Sequence, residues 1–375
     1  MIQELLAYFN PLDYLGIWLL WAFLLAFVVS WMTFPTILKV SQVKQLMDEP
    51  GTRSAHSTKT PTLGGIAIFF SLTVVITTIG GVLDTKLLML LLGGMTVLFF
   101  LGLKDDLLVL APRTKFMGQL LVVGVLIIFT DTRIIGFFGL LGVSTLPYWI
   151  SVIFTLFVYI LIINAYNLID GVDGLAGGLA LFASAAFAFL FWIMKDVSMM
   201  TISVAAIGSL VPFLRFNFSR KRKIFMGDTG SMLIGFVIAF FVVRFLSETY
   251  TLRASSLFNS APVLVLSIVF FPLLDTLRIF FIRTVIYKKS PFEADKNHLH
   301  HAFIKLGYSH KQTTACIVII NTILFVFAFL FKDCDIHFQL FLLLIIGTIL
   351  YSAIFIYHNW LLKDKCESKI TEESR

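Results

Sequence analysis

Long apolar stretches alternate with short polar segments along the whole chain, and this alternation predicts its architecture. The apolar runs are long enough for membrane-spanning helices, with ends uncertain by a few residues. They are predicted at 12–38, 63–82, 87–103, 116–130, 146–163, 175–194, 199–215, 230–247, 261–286, 313–331 and 337–362. Because 87–103 and 116–130 are short, the expected number is ten or eleven. The pattern predicts an all-α, polytopic membrane bundle.

Composition strengthens this prediction. Of the 375 residues, 58% are hydrophobic and only 14% are charged, whereas a soluble domain averages about 25% charged residues. The apolar runs continue to the end of the chain, so we expect one domain over 1–375. Met1–Asn10 holds no basic stretch, which predicts an anchoring first helix instead of a cleaved signal peptide. The three cysteines lie far apart, which predicts neither a disulfide framework nor a thiolate metal site.

The basic residues are distributed unequally between alternate loops. All but six of the 29 lysines and arginines fall in one set of loops, their flanks and the C-terminal tail. The positive-inside rule makes that set cytoplasmic, with the N-terminus outside and the C-terminus in the cytoplasm. The net charge of +7 therefore reflects topology and does not predict a nucleic-acid partner. The cytoplasmic loops are 39–62, 104–115, 164–174, 215–229 and 287–312.

Polar motifs concentrate in these loops, and the longest is 164–178. Asn164, Asn167, Asp170 and Asp173 recur at every third position, so neighbours share a helix face while the row winds round it. Carboxylates and amides at the end of a membrane helix are costly unless they meet a cation, a polar ligand or water. A solvated loop with capping Asn and Asp residues is the alternative.

Two further motifs contain acids at predicted helix ends. Asp105 and Asp106 repel each other unless a cation neutralises them, which suits a role in handling Mg²⁺ or phosphate, while a pair of solvated loop acids is the alternative. Asp228 lies among glycines and hydroxyl residues in 227–231, ahead of a predicted span. Backbone N–H groups at a helix start suit phosphate and the carboxylate suits a metal, while a simple N-cap is the alternative.

Three histidines, His298, His300 and His301, form the last motif. No cysteine and no HExxH spacing accompanies them, so zinc is not favoured. Imidazoles among basic residues can bind phosphate oxygens or exchange a proton near neutral pH.

Together, the motifs predict phosphoryl transfer between a soluble nucleotide compound and a lipid at the cytoplasmic face. A secondary transporter is the competing class. Transporters place ionisable groups near the membrane midplane and have repeated halves, whereas these acids lie at span ends and no repeat is apparent. A purely structural membrane protein would leave the acids unexplained.

The same motifs, in this order, resemble the polyprenyl-phosphate N-acetylhexosamine-1-phosphate transferases, also called glycosyltransferase family 4. The matching segments are 60–65, 105–106, 164–174, 225–231 and 298–301. The segment 294–301 is similar to the undecaprenyl-phosphate N-acetylglucosaminyl-1-phosphate transferase branch. It departs from the three adjacent histidines of the pentapeptide transferases, because Leu299 separates His298 from His300.

The resemblance implies a Mg²⁺-dependent reaction, in which Mn²⁺ can substitute. A UDP-N-acetylhexosamine, UDP-GlcNAc in this branch, and undecaprenyl phosphate would give the lipid diphospho-sugar and UMP, initiating a lipid-linked surface polysaccharide such as O-antigen. A 6-deoxy aminosugar donor and UDP-MurNAc-pentapeptide remain alternatives. The resemblance also implies a bacterial cytoplasmic membrane location and leaves a homodimer open.

It further implies roles for individual residues. Asp228 would be the principal Mg²⁺ ligand, with Asn167 as a second. Asp105 and Asp106 would manage the lipid phosphate, mainly by positioning it, and Phe225 would stack on uracil. The catalytic set is Asp105, Asp106, Asp228, His298, His300 and His301. The substrate-binding set is Lys59, Thr60, Asn164, Asn167, Asp170, Asp173, Asn217, Phe225 and Lys296.

Overall fold

The computed structural model describes residues 11, 13–46, 60–253, 257–288 and 299–373, without the side chains of 82, 300, 301, 354, 355 and 358–373. Its α-helices are α1 (Leu15–Lys44), α2 (Gly64–Ile79), α3 (Thr85–Leu108), α4 (Pro112–Thr130), α5 (Tyr148–Ile169), α6 (Leu175–Met194), α7 (Val197–Asn217), α8 (Gly227–Leu252), α9 (Ala261–Ile268), α10 (Phe270–Phe281), α11 (Leu299–Lys305), α12 (His310–Leu330) and α13 (Ile336–Glu373). The predicted all-α membrane bundle is confirmed.

Among the described residues, nine helices are long and apolar enough to cross a membrane. A tenth span follows if 258–268 and 270–286, bent by 66°, are counted as one. The remaining predicted span corresponds to α2, which has only 16 residues and is about 24 Å long. A bilayer core is about 30 Å thick, and a 3₁₀ turn over Gly80–Val82 lengthens the segment. The two spans expected to be short are in fact 24 and 19 residues long, as α3 and α4.

Helix α8 forms the centre of the bundle. Within its most apolar window, 94% of the residues are buried inside the protein, and it packs against α2, α3, α5 and α6. Buried side chains such as Phe236, Phe240 and Phe241 occupy all sides of it, as expected for a helix that is apolar all round. The central helix begins at Gly227, so the Asp228 motif opens the most buried element of the fold.

Several helices extend beyond the apolar runs that predicted them. Asp105 and Asp106 lie in the last turn of α3, whereas we predicted a loop from 104. Asn164 and Asn167 lie within α5, whereas we predicted a loop from 164. Hydropathy shows where the apolar residues of a span end. The helix itself can continue further, because its backbone hydrogen bonds persist where polar side chains find partners. The motif residues are consequently held on rigid helix ends.

Candidate active site

Two motifs distant in sequence form one backbone frame. The N–H of Phe225 donates to the carbonyl of Pro61 at 2.8 Å, and the N–H of Gly64 donates to the carbonyl of Phe225 at 2.9 Å. Gly65 packs directly against the backbone of Gly230, leaving no room for a Cβ atom. The glycines of 60–65 are therefore required because the start of α8 lies against them.

Asp106 fixes the N-terminus of α8. Its carboxylate accepts the N–H of Asp228 at 2.8 Å, the N–H of Thr229 at 3.0 Å and the Thr229 hydroxyl at 2.5 Å. Gly227 has φ +72° and lies against the Thr62 carbonyl and the Asp106 carboxylate, where a side chain would clash. Because helix N-termini leave unsatisfied N–H groups, Asp106 acts as a cap supplied by another helix.

A second group, which we call the acid–lysine cluster, consists of Asp105, Lys115, Asn167 and Asp228. The Lys115 ammonium lies 2.8 Å from Asp228 Oδ2 and also pairs with Asp105. Asn167 Nδ2 donates to Asp228 Oδ1 at 2.5 Å and to Ser231 Oγ at 3.0 Å. The Asp228 side chain remains 31% exposed, while that of Asp105 is only 3% exposed. Asp228 is therefore the carboxylate of this cluster that a ligand can reach.

The cluster fits a Mg²⁺ ion. Mg²⁺ is commonly bound by one or two carboxylates together with water and substrate phosphates, and Asp228 and Asp105 already share one cationic partner. Rotation of the Asn167 amide would present its oxygen. The described residues contain no group of three or more acids, histidines or cysteines that could hold a metal. The remaining ligands would therefore come from water and substrate.

Lys115 is a site residue that sequence reasoning did not select. It lies in the first turn of α4, and three residues separate α4 from α3. That short connection brings the ammonium back to the end of α3. One feature of the sequence could have identified it: Lys115 follows Asp105 by ten positions, across a short loop between two predicted helices.

The third group, which we call the Asp173 cluster, consists of Asp173, Lys223, Phe225 and His310. Asp173 Oδ2 lies 2.7 Å from Lys223 Nζ and 3.0 Å from His310 Nδ1. Lys223 Nζ in turn lies 5.0 Å from the ring centre of Phe225. Burial would raise the pKa of Asp173, but hydrogen bonds and charge from His310 and Lys223 outweigh it and lower that pKa. Asp173 is therefore an anion at neutral pH.

Asp170 lies near the start of α8 and interacts electrostatically with Asp106 and Asp173. It is partly buried and accepts a hydrogen bond from the backbone N–H of Gly227. Burial raises its pKa well above the ordinary value, and the negative charges of Asp106 and Asp173 raise it further. The two acids of this loop therefore differ: hydrogen bonds and nearby positive charge stabilise Asp173 as an anion, whereas burial and nearby negative charge disfavour the anionic form of Asp170.

Some predicted site residues have other contacts in this structure. Asn164 Nδ2 donates to Gln119 Oε1 at 2.9 Å and to the carbonyl of Ile160, so its amide joins α5 to α4. Asn217 Nδ2 donates to the carbonyl of Ile224 at 2.8 Å, which closes the loop before α8. Its Oδ1 is buried and has no hydrogen-bond partner among the described residues.

The remaining predicted residues are described less completely. Thr60 is buried beside the backbone frame. His300 and His301 lie on α11, whose first N–H, that of Leu299, donates to Asp275 Oδ1 at 2.7 Å. Lys59, Lys296 and His298 lie outside the described residues.

Comparison with known proteins identifies the family of this chain. The sequence model of glycosyl transferase family 4 matches residues 88–246, which span α3 to α8 and both acid motifs at their ends. The chain is 31% identical over 329 residues to a probable undecaprenyl-phosphate N-acetylglucosaminyl 1-phosphate transferase of Bacillus subtilis, covering 86% of this chain and 88% of the relative. It is 33% identical to a decaprenyl-phosphate N-acetylglucosaminephosphotransferase of Mycobacterium leprae, over 72% of each chain. It is 30% identical to an undecaprenyl-phosphate alpha-N-acetylglucosaminyl 1-phosphate transferase of Escherichia coli, over 76% of each chain. The chain therefore belongs to glycosyl transferase family 4, and to the branch of that family that the sequence motifs predicted.

Proposed function

We propose that this protein transfers N-acetylglucosamine 1-phosphate from UDP-GlcNAc to undecaprenyl phosphate, releasing UMP, with Mg²⁺ as cofactor. The observation that carries the proposal is the acid–lysine cluster at the start of α8, where Asp228 is reachable and paired with a cation. The relatives are named as transferases of N-acetylglucosamine phosphate to undecaprenyl or decaprenyl phosphate, which supports the acceptor and the sugar.

Each residue of the cluster has a distinct task in this proposal. When bound, Mg²⁺ would neutralise the diphosphate of the donor and make UMP a better leaving group. Asp228 and Asn167 would hold the ion, and Lys115 would turn its ammonium to the diphosphate oxygens once a metal occupies the carboxylates.

The adjacent acids contribute by positioning. The phosphate of the lipid is already ionised at neutral pH, so attack on the donor needs little help from a general base. Asp106 is occupied by three hydrogen bonds from the start of α8 and so orients Asp228. Asp105 is buried and pairs with Lys115, so it holds the Lys115 ammonium beside Asp228.

The Asp173 cluster is proposed to receive the nucleoside. Phe225 offers a ring for stacking, and Lys223, anchored by Asp173, adds positive charge beside it. The histidines of α11 and Lys296 are proposed to contact the diphosphate and the sugar.

The protein is a multi-pass membrane protein, and we propose the bacterial cytoplasmic membrane with the active site on its cytoplasmic face. The basic loops carry this orientation through the positive-inside rule. A homodimer and a role at the start of surface-polysaccharide assembly, O-antigen included, are part of the proposal.

The decisive experiment measures UMP release by purified protein with undecaprenyl phosphate and Mg²⁺, comparing UDP-GlcNAc, a UDP-6-deoxy-N-acetylhexosamine and UDP-MurNAc-pentapeptide at equal concentration. We expect UDP-GlcNAc to be turned over fastest and EDTA to abolish the reaction. Preference for the muramoyl donor would refute the assigned sugar. Turnover of none of the three would refute the reaction and reopen the transporter alternative.

A further inference from the structure

His310 contacts the loop of Asp173 in a way that the sequence motifs did not indicate. It is the first residue of α12, and its Nδ1 lies 3.0 Å from Asp173 Oδ2 and 3.2 Å from the backbone N–H of Asp173. A protonated Nδ1 donates to the carboxylate, whereas an unprotonated Nδ1 accepts the backbone N–H. Either way, this nitrogen of His310 is bound to Asp173.

The first turn of α12 holds His310 firmly. Ser309 and Gln312 form a reciprocal capping box at the start of the helix. Thr314 Oγ1 donates to the backbone carbonyl of Asp173 at 2.9 Å, so a second residue near the start of α12 binds the same loop. His310 therefore approaches Asp173 from a fixed position.

Asp173 transmits this position to the ring of Phe225. The same carboxylate oxygen that faces His310 binds Lys223 Nζ, and Lys223 lies over the Phe225 ring. Without His310, Lys223 would be the one remaining side-chain partner of the Asp173 carboxylate within the described part of the chain, and the carboxylate could follow that flexible side chain. The placement of Lys223 over the ring would then be less defined.

We propose that His310 is a positioning residue for the nucleotide end of the donor, acting through Nδ1 on Asp173. The nucleotide is uridine diphosphate by the proposed function, on which this inference rests. His310 need not touch the substrate. It sets the geometry of Lys223 and Phe225, the two side chains proposed to contact the nucleotide.

The test compares UDP binding, by calorimetry in detergent with Mg²⁺, for the wild type and for His310→Ala, His310→Asn and His310→Gln. The amide nitrogen of Asn can replace Nδ1, whereas that of Gln extends toward the position of Nε2. We expect Ala and Gln to weaken UDP binding about tenfold, equivalent to loss of one net hydrogen bond, and Asn to remain within about threefold. His337→Ala, a histidine whose Nε2 accepts the N–H of Leu141 away from this loop, is the matched control and should bind UDP normally.

Two further measurements separate positioning from a purely structural role. In steady state, His310→Ala should raise KM for UDP-GlcNAc and leave KM for undecaprenyl phosphate within about twofold. In an Asp173→Asn background, His310→Ala should weaken UDP binding by much less than tenfold, because the two residues act as one unit. If His310→Ala does not fold, the Asn and Gln variants carry the comparison.

Equal UDP affinity in the wild type and His310→Gln would overturn the inference, as would equal losses in Asn and Gln or failure of the wild type to bind UDP. A wild type that binds UDP without releasing UMP from UDP-GlcNAc would refute the proposed function, while the binding series would still judge His310.

Discussion

Both ends of the bundle carry two acids bridged by one basic residue, yet only one end has the properties of an active site. At the site end, Lys115 lies between Asp105 and Asp228, which are separated from it by 10 and 113 residues along the chain. Asp228 stays partly exposed at the start of the central helix, beside a glycine-rich backbone.

At the far end, the corresponding acids are Asp196 and Glu248, and the basic residue is Arg244. Arg244 lies 3.3 Å from Asp196 and pairs with Glu248, four residues further along α8. Asp196 also caps α7 by accepting the N–H of Met199 at 3.0 Å. These contacts are a helix cap and an i,i+4 pair, both ordinary stabilising devices.

The difference teaches that charge composition alone does not identify a site. At the far end, Asp196 caps the start of α7 and Glu248 forms an ion pair within α8, so both acids have a structural role. At the site end, Asp106 takes over the capping of α8, which leaves the side chain of Asp228 available to a ligand. We expect substitutions at the two ends to separate activity from stability accordingly.

Asp228→Asn should have the largest effect. The amide keeps the shape of the side chain but loses the anionic metal ligand, so transfer should fall by about a thousandfold or more while the protein remains folded. UMP release across a Mg²⁺ titration measures this, with the thermal unfolding midpoint as the control. Near wild-type turnover at low Mg²⁺ would remove Asp228 from the metal site.

Lys115→Met should come next. Loss of a charged group that faces the donor diphosphate should lower kcat/KM about a hundredfold. Binding of Mn²⁺, followed by electron paramagnetic resonance, should be retained or tightened, because a competing cation has been removed from Asp105 and Asp228. If Mn²⁺ binding were lost together with turnover, Lys115 would instead be required for the structure of the metal site.

Asp105→Asn and Asp106→Asn, made separately, should distinguish the roles of the two adjacent acids. An amide at 106 places a donor against the N–H groups of α8 and should cost about 1–3 kcal/mol of unfolding free energy, along with activity. An amide at 105 should reduce turnover with a smaller change in stability. Chemical denaturation and UMP release distinguish them, and a return to the wild-type rate at high pH would contradict positioning for either acid.

Glu248→Gln, at the far end, should have the smallest effect on activity. The amide can still accept a hydrogen bond from Arg244, so we expect turnover within about twofold of the wild type and a stability change below about 1 kcal/mol. UMP release normalised to folded protein checks this. A tenfold loss of turnover would show that the far end is coupled to the reaction, and the two ends would then not differ as described.

Hydropathy along the chain was sufficient to predict the helical membrane bundle and to place the polar motifs near the ends of its helices. The reason is that burial in lipid is a local property of each apolar run. Every predicted span overlaps a helix of the described structure. Helix ends were less predictable, since α3, α5 and α8 continue through polar residues whose partners come from elsewhere in the chain.

Only the tertiary structure decided which polar residues meet. Asn164 and Asn167 are three residues apart on α5, yet Asn164 binds Gln119 and Asn167 binds Asp228. The reason is geometric: spacing of three turns successive side chains by about 60°, so each faces a different neighbouring helix.

The same limit applies to Lys115 and His310, which belong to no motif of acids or histidines that the sequence displays. Their partners, Asp228 and Asp173, lie 113 and 137 residues away. The sequence by itself determined the membrane helices and the family, and it predicted that the acids of the motifs lie at helix ends, because these depend on local composition and motif order. The pairing of those acids with their cations depends on how the helices pack, and that was decided only in three dimensions.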